Sequence, residues 1–230
     1  MTSELAASAL AWWTEAGVDT LVAEEPRNWL RQKPIAAPAV SEPEAMAAPV
    51  EAMPDTIDSF RAWLATATLP FPTIGARLAP AGDPFAGLMV MVDMPTQSGG
   101  WFEGEADPLF DRMLGAMNGL SRDKLYLAAL SPARPLNGRI DTAHARRLGE
   151  IARHHIGLVR PRALLLFGEA CALALLDSSI ASARGRRQEV DTPAGPVPAV
   201  ATIRPEQIAG RAPIRKMVWE DLQRVMEELK

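Results

Sequence analysis

A chain of 230 residues holds one well-buried domain with something left over, and is too short for two full ones. Its 48% hydrophobic content is that of an ordinary globular protein. No apolar run approaches the ~20 residues of a membrane span, and the N-terminus carries acids where a signal would carry bases, so a cytoplasmic location is the expectation. The single cysteine, Cys171, excludes by counting a four-thiolate iron–sulfur cluster, a structural zinc site of several thiolates and any internal disulfide, and no cofactor is expected. Net charge is −4, but residues 1–54 hold eight acids and three bases, leaving twenty acids and twenty-one bases for the other 176 residues. The acidity therefore does not exclude a nucleic-acid partner for the larger part. Twenty of the twenty-four cations are Arg, whose planar fork suits phosphate, although a GC-rich genome produces the same bias.

In chain order, Leu5, Ala9, Trp12, Trp13 and Ala16 form one stripe of an amphipathic helix over residues 4–16. A second short helix is expected within 18–32, giving an N-terminal helical segment over 1–33. Residues 34–54 carry five prolines and seven alanines without periodicity, the composition of a semi-rigid linker. The main domain is expected over 55–230. It opens with a helix marked by Ile57, Phe60, Trp63 and Leu64, then alternates. Strand-like apolar runs at 88–93, 125–130, 162–167 and 197–202 are separated by helical patterns around Leu109–Met117, 142–157 and 169–177, and a final helix carries Ile214, Met217, Val218, Leu222, Val225 and Leu229 on one face. Near-continuous apolar strands between helices predict a three-layer α/β/α fold around a central four-stranded parallel sheet.

Ligands of such sheets sit beyond the carboxyl ends of the strands. Those ends are 93–104, 129–139, 168–170 and 202–211, three of them rich in Gly, Pro and polar residues. Elsewhere, Cys171 lies in an apolar helical pattern and reads as a buried small hydrophobe. His144, His154 and His155 lack metal-ligand spacing, and the adjacent pair reads as a solvated helix face.

The same segments carry a resemblance. Val-Asp-Met-Pro-Thr at 92–96, Gly-Gly-Trp-Phe-Glu-Gly at 99–104, Ser-Pro-Ala-Arg-Pro-Leu-Asn-Gly-Arg at 131–139, Val-Arg-Pro-Arg-Ala-Leu-Leu-Leu-Phe-Gly-Glu-Ala at 159–170, Ala-Thr-Ile-Arg-Pro at 201–205 and Trp-Glu-Asp-Leu-Gln-Arg-Val at 219–225 resemble, in order and spacing, the bacterial iron–sulfur uracil-DNA glycosylases. The likeness covers residues 57–229. It implies a DNA-repair protein with DNA as partner, and a protein partner through the N-terminal helix is a further expectation.

Carried over residue by residue, the resemblance puts Asp93 where the family has a catalytic Glu, and Phe102 where it has the ring that stacks on the flipped base, with Trp101 beside it. Ala129 stands in place of the Asn that reads the uracil edge, and Arg204 in place of the His that bonds the leaving base. Ala133 and Leu148 fall on cluster cysteines, and Ala65–Leu69 on the first pair; Trp63, Leu69, Phe71 and Leu148 are expected to pack those loops instead. Asp93 and Arg204 are thus the candidate catalytic pair. Pro95, Ser98, Arg134, Arg139, Arg211, Arg215 and Lys216 are the candidate DNA contacts, and Ile208 the apolar residue inserted into the duplex. Arginines at 146–162 and 184–187 would extend a phosphate track. The residues also permit plainer roles: a strand-end cap for Asp93, a core staple for Phe102, and an ion pair with Glu206 for Arg204. Losing the bidentate amide costs several kcal/mol of discrimination for uracil. Uracil excision is therefore expected to be lost or strongly reduced with binding retained, the alternative being a glycosylase of altered base specificity that uses Asp93 and Arg204.

Overall fold

The computed structural model describes residues 53–208 and 211–230, together with positions 7, 8, 11, 12 and 15. Those five N-terminal positions are helical and exposed. The rest of the 4–16 stripe, the second short helix and all but the end of the linker lie outside the described residues. The chain divides into two compact units, Met1–Glu51 and Ala52–Lys230.

In the larger unit, α1 (Ile57–Thr66) starts at Thr56, whose hydroxyl accepts from the Ser59 amide. Two minimal strands follow, β1 (Thr73–Ile74) and β2 (Ala81–Gly82). Then come β3 (Leu88–Val92), α2 (Ala106–Ala116), β4 (Tyr126–Ala129), β5 (Arg134–Pro135), α3 (Thr142–Val159), β6 (Ala163–Phe167), α4 (Glu169–Leu176), α5 (Ile180–Ala183), β7 (Gln188–Thr192), β8 (Gly195–Thr202), α6 (Pro205–Ile208) and α7 (Ala212–Glu228).

The main sheet runs β2-β4-β3-β6-β8-β7. Its four inner strands are the four apolar runs, and they are parallel. Six strands, not the expected four, make the sheet: β2 pairs antiparallel to β4, and β7 antiparallel to β8. Both additions escape a periodicity reading for physical reasons. A two-residue strand has no period, and β7 buries only Val190 of its five residues, so it reads as polar loop. The β7–β8 turn is closed by Pro193 and Ala194, with Gly195 at φ 113, a conformation strained for any side chain.

The alternating pleat gives each sheet face its own core. Met89, Met91, Tyr126, Leu164, Leu166 and Ala201 point toward α3 and α4. Leu88, Val90, Val92, Leu127, Leu165, Phe167 and Val200 point toward α2 and α7. Helices thus cover both faces, and α1 adds Phe60 and Leu64 against Ile151 of α3. Leu69, Phe71 and Leu148 pack in the α3-side core as expected, whereas Trp63 belongs with Phe60 and Leu64. No helix among the described residues is long and apolar enough to cross a membrane.

The histidine pair departs from its expected solvated face. His155 is buried and shares a 3.0 Å hydrogen bond with the Tyr126 hydroxyl, while His154 Nε2 donates to the Pro54 carbonyl at 2.8 Å. Burial pushes His155 down to about 3 and the Tyr126 phenol up to about 12, so both are neutral. Because α1 packs over this face of α3, it covers a stripe that the helix sequence alone leaves polar.

Candidate functional site

From β3 the chain crosses to β4 on one side, then to β6 on the other, so the connection order reverses at β3. Such a reversal opens a crevice at the carboxyl end of the strand, and Asp93 is the residue that follows Val92 there. A cavity of about 410 Å³ occupies this place, lined among others by Asp93, Thr96, Gln97, Glu103, Arg134, Arg204 and Glu206.

The parallel ladder continues past the strands to shape the cavity walls. Leu130 N–H donates to the Val92 carbonyl at 2.8 Å, and Ser131 N–H to the Asp93 carbonyl at 3.0 Å. The loop after β4 is then held by the small β1–β5 sheet, in which Ile74 pairs with Arg134. Arg134 Nη1 donates to the Pro95 carbonyl at 3.2 Å, which fixes its guanidinium in the wall of the cavity.

Asp93 lies almost out of solvent, 9% exposed. Its Oδ1 accepts the Cys171 amide at 2.8 Å, in the first turn of α4. A carboxylate delivered by one strand thus caps a helix that begins after another, answering an amide that has no partner within its own helix. The approach depends on Gly168: a Cβ there would stand 2.1 Å from Asp93 Oδ2, and the residue has φ 109. Desolvation pushes the Asp93 carboxyl above its ordinary pKa, against the pull of the Cys171 amide and the Arg204 charge. Cys171 is fully buried as expected, its thiol driven well up by the same desolvation.

Arg204 is fastened at every nitrogen. Nε and Nη2 donate to Glu206 at 3.3 and 3.1 Å, Nη1 donates to the Met94 carbonyl at 3.5 Å, and Nη2 also donates to the Trp101 carbonyl at 3.4 Å. The loops after β8 and β3 are tied together by this one side chain. Burial disfavours its charge, but Glu206 and Asp93 outweigh that, and its pKa stands above the ordinary value.

The remaining expected site residues divide. Pro95 and Ser98 line a neighbouring cavity of about 540 Å³ that shares Thr96, Gln97 and Arg134 with the first. Phe102 does not line the central cavity: 4% exposed, its ring packs at 4.5 Å from Phe110 and 5.8 Å from Phe167, so no face is open for a base to stack on. Ala129 is buried on the same side of the sheet, and Trp101 is half-buried there. Arg139 lines a separate cavity with Phe71 and His144, and Arg215 borders an apolar groove between α2 and α7. Arg211 and Lys216 are exposed and line neither cavity around Arg134.

Ile208, expected to enter the duplex, is 2% exposed in the α2-side core. Within the expected phosphate track, Arg184 pairs with buried Asp221, Arg187 with Glu228, Arg147 with Glu150, and Arg153 donates to the Leu175 carbonyl. Thr96, Gln97, Glu103 and Gln207 escaped the sequence reading, and only their position in strand-end loops could have signalled them. Among the described residues, no group of three or more His, Cys, Asp or Glu is placed to hold a metal. A comparison with protein-family models finds no match, and a comparison with curated proteins finds no similar sequence.

Proposed function

We propose that this protein is a uracil-DNA glycosylase-like protein that does not excise uracil and keeps the cavity at the carboxyl ends of its sheet as a nucleic-acid binding site. The observation that carries the reading is the engagement of Asp93. A carboxylate that orients water or faces a cationic sugar needs its oxygens open to the substrate, whereas this one is 9% exposed and has Oδ1 engaged by the first-turn amide of α4. Two further parts are missing in the same place, since Phe102 is sealed in the core and Ala129 offers no edge-reading group. Arg134, Gln97 and Thr96 still line the cavity, and they suit phosphate and sugar oxygens rather than the cleavage of a base–sugar bond.

The contrary reading, a glycosylase of altered specificity, draws on Asp93 and Arg204 lining one cavity. Incubation with single- and double-stranded oligonucleotides carrying uracil, hypoxanthine or xanthine separates the two. The expected result is no abasic product from any substrate, together with binding at low salt that weakens as salt rises. Abasic product on any one of them makes the protein an enzyme; absence of binding at the lowest salt removes nucleic acid and leaves a protein partner.

A further inference from the structure

Arg204 is the cation closest to the chemistry of the cavity, yet its fork is already filled. Glu206, two residues on in the first turn of α6, presents both carboxylate oxygens to it at 3.1 and 3.3 Å. Both side chains remain partly accessible, at 16% and 27%, and both line the cavity. A guanidinium matches carboxylate and phosphate with the same planar pair of N–H groups. The Glu206 carboxylate therefore stands where an anionic oxygen pair of a ligand would dock. The guanidinium also donates to the Met94 and Trp101 carbonyls, at 3.5 and 3.4 Å, contacts that do not involve Glu206.

We infer that Glu206 is an internal stand-in for a phosphate group: it occupies the anion site of Arg204 and is displaced by a phosphate-bearing ligand. The inference rests on the nucleic-acid reading of the cavity for its ligand class, but the anion site itself is testable apart from it. The local balance explains why the native site is selective. With Glu206 docked, the Arg204 charge is paired, and the exposed Glu103 also lines the cavity and adds negative charge that small anions meet. An isolated phosphate has to displace a tethered carboxylate at high local concentration. A ligand that also engages Arg134, at the start of β5 in the cavity wall, gains a second contact with which to offset that displacement.

The test compares native protein with Glu206→Gln, Glu206→Ala, Arg204→Met and Glu189→Gln, the last removing the same charge from an exposed position on β7. Calorimetry with inorganic pyrophosphate and anisotropy with a fluorescent single-stranded oligonucleotide, both at low ionic strength, are the readouts. Freeing the fork should tighten pyrophosphate binding by about tenfold or more in both Glu206 variants, while Glu189→Gln stays within about twofold of native. Arg204→Met should erase the gain when added to Glu206→Ala. Glu206 variants no tighter than Glu189→Gln for pyrophosphate overturn the inference, even if the oligonucleotide binds every variant and the nucleic-acid reading stands. A pyrophosphate gain with no oligonucleotide binding by any variant upholds the anion site and removes the nucleic-acid reading.

Discussion

Two buried aspartates, Asp93 and Asp221, sit on opposite faces of a single question: what makes a carboxylate structural. Asp221, on α7, is surrounded. Thr202 Oγ1 donates to it at 2.8 Å, the Gly185 amide at 3.1 Å and Arg184 Nη2 at 3.1 Å, and Arg224 Nη1 lies 3.5 Å away. Its charge is matched by two guanidiniums and its oxygens are divided among several donors, so it knots α7 to the end of β8 and to the turn after α5. Asp93 has one short bond from the Cys171 amide, with the Ala170 amide, the Cys171 thiol and the Arg204 charge as further partners, and a cavity beside it. A charge buried with partners fixes geometry, while a charge buried with few of them is left protonation-prone and adjustable. The cavity's character follows from the second case.

The largest loss is expected at Asp221. Asp221→Ala leaves two arginines facing a buried vacancy, and urea unfolding should show a loss of about 3–5 kcal/mol; a loss below ~1 kcal/mol would make the network ornamental. Gly168→Ala comes next. The added Cβ meets Asp93 Oδ2 in a backbone conformation strained for alanine, so a destabilisation of about 1–3 kcal/mol is expected. A crystal structure of that variant should find the Asp93 carboxylate turned away from the Cys171 amide.

The smallest effect is a trend with pH. Asp93 has its pKa raised by folding from 3.8, so the folded state holds its proton longer than the unfolded chain. Stability from this group is fully present below 3.8 and declines as pH rises through the folded-state pKa, because ionisation then has to take place in a desolvated site. Asp93→Asn keeps an acceptor for the Cys171 amide and cannot ionise. Its unfolding free energy relative to native should therefore grow as pH rises from about 4 to 8, and a difference that shrinks over that range would show that the ionised carboxylate is the stabilised form.

Residue by residue, the sequence exposed much of the frame and less of the site. The ion pair of Arg204 with Glu206 is legible as a plain alternative, since opposite charges two residues apart suffice to suggest it; a short acid at a strand end suggests a local cap, but that Asp93 caps α4, 78 residues on, depends on β3 and β6 lying side by side. The core staple of Phe102 is legible as a plain alternative to stacking, whereas the burial of Ile208 is not, because an aliphatic side chain in a loop reads the same whether it turns inward or outward. His155 failed for a related reason: the helix it sits on has a polar stripe that becomes interior only once Phe60 of α1 lies 4.7 Å from its ring.

What the sequence determined by itself is the set of four apolar runs and the helices between them, since continuous hydrophobicity at strand length demands burial on both faces and makes the inner strands parallel. Tertiary structure alone decided the strand order, the two edge strands and the reversal at β3, because these depend on which runs become neighbours and not on the composition of any one of them. The cavity follows from that order. Asp93, Arg134 and Arg204 come from three separate strand ends, and only the side-by-side placement of β4, β3, β6 and β8 brings them to one opening.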